Sequence, residues 1–212
     1  MCHRFNVKSN LKQIAEPFDG IQFRVDAVPN ADCYPMSQVL ILRRDLETDE
    51  WIIEFRQWGW LPAHWKPSSN YATRKKYQRE RFNARSESAD RTWGFRQAFA
   101  SQRCVLAGSC FFEPYRGGGE AGYTMDSDLV YFAGLWDDWS NGEESVSSCT
   151  MLTTNANPLV AANRTGRLRQ PVILTDVHQV TRYCNPEIVE KGQFEDLLKP
   201  ISEDVMTIHR PQ

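Results

Sequence analysis

Short apolar runs that alternate with polar positions dominate this chain, and long runs at helical spacing are scarce, so strands are predicted to outnumber helices. Ile21 to Val28 alternates, with Ile21, Phe23, Val25 and Ala27 on one face, until Pro29-Asn30 stops it. Val39 to Arg43 and Trp51 to Trp58 are strand-length runs around the charged segment Glu47 to Glu50 and predict a hairpin. Cys104 to Phe112 reads as one apolar strand. Tyr123 to Met125 and Leu129 to Leu135 flank Asp126-Ser127-Asp128 and predict a second strand pair, closed by Trp136 to Trp139. Cys149 to Thr154 and Gln170 to Leu174 add two more strands. Helices are predicted from Ser9 to Phe18, capped by Ser9 or Asn10, from Thr92 to Arg103, just after Asn157-Pro158, and over the peripheral stretch Asp176 to Leu198. The class expected is α+β: one domain over residues 1–212, with a curled, mostly antiparallel, barrel-like sheet and helices outside it.

Composition narrows the function classes. No segment of 212 residues approaches 18 consecutive apolar positions, and no apolar run follows Arg4, so neither a membrane span nor a signal peptide is expected and the location expected is cytoplasmic, at the nucleoid. Six cysteines without an export signal are expected as reduced thiols. No CxxC occurs and the four histidines lie far apart, so no metal and no organic cofactor is expected. A net charge of −2 argues against a uniformly basic coat, but charge is unevenly placed. From Tyr71 to Arg103 a run of arginines and lysines meets only Glu80, Glu87 and Asp90, and Ser145 to Thr175 holds Arg164, Arg167 and Arg169 with no acid. These stretches suit a phosphate-binding face or a solvated flank. Trp58, Trp60 and Trp65 fall within eight residues of a Gly- and Pro-rich segment, which suits core packing or a platform for stacking bases.

The amino end carries the sharpest chemistry. Removal of Met1 from Met1-Cys2-His3-Arg4-Phe5 leaves a free α-amine beside the Cys2 thiol. These groups titrate near pH 8 and 8.5, so each is partly nucleophilic at neutral pH. Such a 1,2-aminothiol captures aldehydes: the amine forms an imine, and the sulfur closes on the imine carbon to give a thiazolidine. Glu113, at the end of the apolar run from Cys104, is a carboxylate that burial would tune toward acid–base work.

Taken in order, Met1-Cys2-x-Arg4-Phe5, Trp58-Gly59-x-x-Pro62, Asn83-Ala84-Arg85-x-Glu87, Phe112-Glu113, Phe132-Ala133-Gly134-Leu135-Trp136-Asp137, Thr153-Thr154-x-Ala156-Asn157 and Pro171-Val172-Ile173-Leu174 resemble the SRAP family, the abasic-site processing proteins associated with the SOS response. The resemblance covers about residues 1–175, leaving 176–212 as a peripheral helical segment. It implies a protein that binds single-stranded DNA and traps the aldehyde of an abasic site on Cys2 as a thiazolidine. By the same resemblance Asn83 positions the sugar and amine, Glu113 shuttles protons, Arg4 and Arg85 hold phosphates, and Trp58 and Trp65 stack on bases. Three departures stand out: His3 replaces a usual glycine, Pro114-Tyr115 follows Glu113 where an aromatic is usual, and Arg164 aligns with an expected histidine. Arginine keeps donors and charge but exchanges no proton near neutrality. Two alternatives therefore stay open, a non-covalent single-stranded-DNA protein and an autoprocessing cysteine peptidase that removes its own Met1.

Overall fold

The computed structural model describes residues 2–28 and 32–211. Its centre is a closed ring of five strands. The hairpin of β4 (Gln38–Arg44) and β5 (Trp51–Trp58) forms as the alternation predicts, with Leu40 opposite Phe55 and Leu42 opposite Ile53. The ring runs on from β4 to β7 (Arg103–Gly108), β10 (Val130–Ser140) and β11 (Ser145–Asn155), and β11 closes it by pairing in parallel with β5 at Cys149 and Trp58. Strands that curl this tightly bring backbones close. A Cβ at Gly134 would lie 2.6 Å from both a Leu106 methyl and the Thr150 carbonyl, so only glycine fits that point of β10.

Short strands extend the ring: β2 (Ile21–Phe23) lies parallel to β5, β6 (Asn83–Arg85) parallel to β11, and β12 (Arg169–Pro171) and β13 (Ile173–Leu174) pair with β11 and β10. A second sheet carries the amino end, in the order β14 (Met206–His209), β9 (Glu120–Met125), β8 (Cys110–Pro114), β1 (Arg4–Asn6) and β3 (Asp32–Cys33). Phe5 of β1 joins the two sheets. It is fully buried, edge-on to Trp58 at 5.2 Å and to Phe132 at 5.4 Å. A ring so placed is worth about 3–5 kcal/mol against alanine, and that anchoring holds the start of the chain in place. The helices are short. The first, α1 (Leu11–Ala15), begins in a capping box of Asn10 and Gln13, α2 (Arg74–Arg79) is capped by Thr73, α3 (Arg96–Ser101) precedes β7, α4 (Pro158–Asn163) is capped by Asn157, and α5 (Val177–Cys184) by Asp176. Among the described residues no helix is long and apolar enough to cross a membrane.

Four local expectations change. The run Cys104 to Phe112 breaks at Ser109 into β7 and β8, which belong to different sheets; the Ser109 amide donates to the Asn6 carbonyl at 2.8 Å and its hydroxyl accepts from the Lys8 amide, so long-range partners set the break. The strands β9 and β10 do not pair with each other, because each finds a partner in its own sheet, and Trp136 to Trp139 lies inside β10 rather than closing a hairpin. Alternation from Ile21 yields a strand only to Phe23. After α5 the chain turns through three 3₁₀ segments into β14, an unforeseen strand, and Val180, Tyr183 and Phe194 are wholly buried rather than peripheral.

Candidate active site

Strand pairing delivers the start of the chain to the end of β8. With Arg4 opposite Phe112 and Phe5 opposite Phe111, the register extended backward puts the Cys2 end of the chain alongside Glu113 and Pro114. Cys2 is fully buried, and its Sγ donates to the Arg4 carbonyl at 3.4 Å. On the other side β6 holds Asn83, whose Nδ2 donates to the Cys2 carbonyl at 2.6 Å. The Asn83 Oδ1 is also buried and has no hydrogen-bond partner among the described residues. Arg164 arrives from the end of α4, where it bridges to Tyr115; its Nε donates to Glu113 Oε2 at 2.8 Å and its Nη2 ion-pairs with the same oxygen at 2.8 Å. Four residues separated by up to 162 positions thus converge: Cys2, Asn83, Glu113 and Arg164.

Burial decides their electrostatics. Loss of water pushes the Cys2 thiol well above the usual thiol range, and the nearby Glu113 charge pushes the same way, so the resting sulfur is protonated. Burial also raises Glu113 to about 7, against the lowering pull of Arg164. A carboxyl poised there can give or take a proton at neutral pH. Arg164 fixes the orientation of that carboxyl. The Arg164 Nη1 is buried without a hydrogen bond among the described residues, as is the Tyr123 hydroxyl of β9. Tyr123 feels the Glu113 charge and is pushed up to about 12, chiefly by burial. As part of a short strand pattern, Tyr123 gave no signal of its own in the sequence.

The remaining site residues divide. Arg85 is exposed, forms no ion pair among the described residues and lines the same cavity as Asn83. Arg4 is taken up by the protein: Asp32 accepts from Nε at 3.1 Å and Nη2 at 2.7 Å, Glu120 accepts from Nη1 at 2.9 Å, and the guanidinium lies 4.0 Å over the Phe112 ring. A phosphate at Arg4 would have to compete with two carboxylates. Glu120 also accepts His3 Nε2 at 2.7 Å. Trp58, expected to stack on a base, is fully buried, with its indole N–H on the Phe82 carbonyl at 2.6 Å. Trp65 is buried against Trp139 and Tyr77, though it lines a surface cavity. Glu87 and Arg169 form a bidentate pair at 2.6 and 2.8 Å that ties the segment after β6 to β12.

The buried thiol at the second residue, whose backbone carbonyl a carboxamide holds, and the buried carboxyl near it lie where the amino end of the chain meets the barrel. The chain belongs to the SOS response associated peptidase (SRAP) family, whose sequence profile it matches over residues 1–211. Its fold is similar to a Bordetella bronchiseptica protein at 26% identity, covering 100% of both chains with a TM-score of 0.81. A Bacteroides thetaiotaomicron protein matches at 21% identity over 98% of this chain and 91% of its own, also with a TM-score of 0.81. A phage-related protein of Bordetella bronchiseptica matches at 19% identity over 98% and 93%, with a TM-score of 0.71. No curated protein matches the chain.

Proposed function

We propose that the protein captures the ring-opened aldehyde of an abasic site in single-stranded DNA on the amine and thiol of Cys2, once Met1 has been removed. The observation that carries this reading is the Asn83 hydrogen bond that fixes the Cys2 backbone beside the buried Glu113. The amine adds to the aldehyde carbon to give a carbinolamine. Glu113 in its acid form then protonates the hydroxyl, water leaves and an iminium ion forms that keeps its N–H proton. As the sulfur closes on the iminium carbon, the Glu113 carboxylate takes the thiol proton, which returns it to the acid form and leaves the ring nitrogen neutral. The sum is aldehyde plus aminothiol giving thiazolidine plus one water, with no oxidant or reductant. Asn83 Oδ1, buried and lacking a partner, suits acceptance from the amine or from a sugar hydroxyl. Arg164 holds the carboxyl by one oxygen throughout.

The test mixes the Met1-processed protein with abasic and undamaged oligonucleotides and runs denaturing gels. The reading expects a heat-stable band with abasic DNA only, lost in Cys2→Ala and in protein that retains Met1. A heat-stable adduct formed by Cys2→Ala sinks it, and binding of single strands with no adduct at all favours the non-covalent alternative.

A further inference from the structure

Away from the capture site the most exposed large hydrophobic side chain among the described residues is Trp93, at 60%. An indole in water needs a reason, and its surroundings supply one. A cavity of about 280 Å³ next to Asn83 and Arg85 shares Arg81, Thr92 and Phe95 with a second cavity of about 440 Å³ walled by Trp65, Tyr71 and Trp93. The two cavities thus adjoin along these shared walls, with Asn83 of the capture site at one side and Trp93 at the other. Among the described residues Glu80 is the only acid lining either cavity, and its carboxylate already accepts from the Tyr71 hydroxyl at 2.7 Å. Against it stand Arg81, Arg85, Arg167 and Lys66. Arg81 lies between the cavities, 4.4 and 4.1 Å over the Tyr71 and Tyr77 rings, with a buried Nη1 that makes no hydrogen bond and has Glu80 no closer than 3.9 Å.

Trp93 is mounted rigidly. The next carbonyl, Gly94, accepts the indole N–H of the buried Trp60 at 2.7 Å, and the Trp93 ring is met edge to face by His64 at 4.1 Å and 77°. A fixed aromatic face at the end of a basic groove is the combination that holds single strands: phosphates along the cations, a base on the ring. We propose that this groove carries the strand leading away from the captured sugar, with a neighbouring nucleobase stacked on Trp93 and the intervening phosphates on Arg81 and Arg85. The inference rests on the reading that DNA docks at Cys2, since that sets the direction of the groove.

The experiment places 2-aminopurine at each position in turn on both sides of an abasic site and measures its fluorescence in complexes with wild type, Trp93→Ala and Trp93→Leu; the leucine variant keeps bulk while removing the π face. Undamaged oligonucleotides carrying 2-aminopurine are measured in parallel. Wild type is expected to quench strongly at one position, or two adjacent ones, on a single side of the lesion. Both variants are expected to lose that quenching and to bind undamaged strands roughly five- to 150-fold more weakly, the range for one lost stack. Quenching and affinity unchanged in both variants overturn the proposal. If wild type forms no adduct yet quenching and affinity on undamaged strands still depend on Trp93, the groove stands and the capture reading fails.

Discussion

Glu113→Gln isolates the titration on which the proposed chemistry depends. In the folded chain burial holds this carboxyl at about 7, whereas an exposed glutamate titrates at 4.5. A raised carboxyl binds its proton more tightly when folded, so its contribution to stability is complete below pH 4.5 and is lost as pH climbs to 7. At about 1.4 kcal/mol per pH unit, the loss across that window is about 3 kcal/mol. For a chain of this length that equals a fall in Tm of about 6–12 °C. Glutamine keeps a carbonyl oxygen for Arg164 but has nothing to titrate, so its curve should lack this fall. Pairs present in both proteins, such as His3 with Glu120, cancel in the comparison. The assay is urea denaturation at half-unit steps from pH 4.5 to 8, with wild type minus variant plotted against pH. Parallel curves would show that Glu113 titrates as an exposed carboxyl and would refute its assignment as the neutral-pH proton carrier.

Other substitutions probe separate parts of the account. Arg85→Ala should weaken single-strand binding and reduce the slope of log K against log salt by about 0.7, one phosphate's share, as read by fluorescence anisotropy at several salt concentrations. Arg164→His should accelerate adduct formation or reversal, because a group titrating near 6.5 can donate where arginine cannot; quench-flow gels on preformed and forming adduct check this. Trp58→Ala should destabilise the fold by about 3–5 kcal/mol in urea denaturation while leaving the affinity of the remaining folded protein for single strands unchanged.

Local chemistry was legible in the sequence, and long-range partnership was not. Position 2 announces Cys2 because the aminothiol is defined by adjacency to the chain end. The β4–β5 hairpin, the cap at Asn10 and the helix start after Asn157 also rest on neighbours in the chain, and they stand as expected. Asn83 and Glu113 were reached through the order of motifs, and the structure places both beside Cys2. Arg164 followed from its position ahead of β12, and it meets Glu113 across 51 residues. What sequence could not supply was competition. Arg4 is claimed by Asp32, 28 residues away, and by Glu120, 116 away, and nothing near Arg4 in the chain signals either. Ser109 splits an unbroken apolar run only because Asn6 and Lys8 pass beside it. Trp58, Trp65 and Trp93 look equivalent on a page of aromatics, and it is packing that buries the first two and leaves the third in solvent.

Mass spectrometry of the adduct addresses the central claim. The complex with an abasic oligonucleotide, digested with nuclease and protease, is predicted to yield an N-terminal peptide beginning at Cys2 that carries the sugar remnant with loss of one water. That peptide should resist both borohydride reduction and thiol alkylation, since amine and sulfur are both engaged in the ring. A remnant on a lysine, or on Cys2 with a thiol still open to alkylation, would contradict capture by the aminothiol.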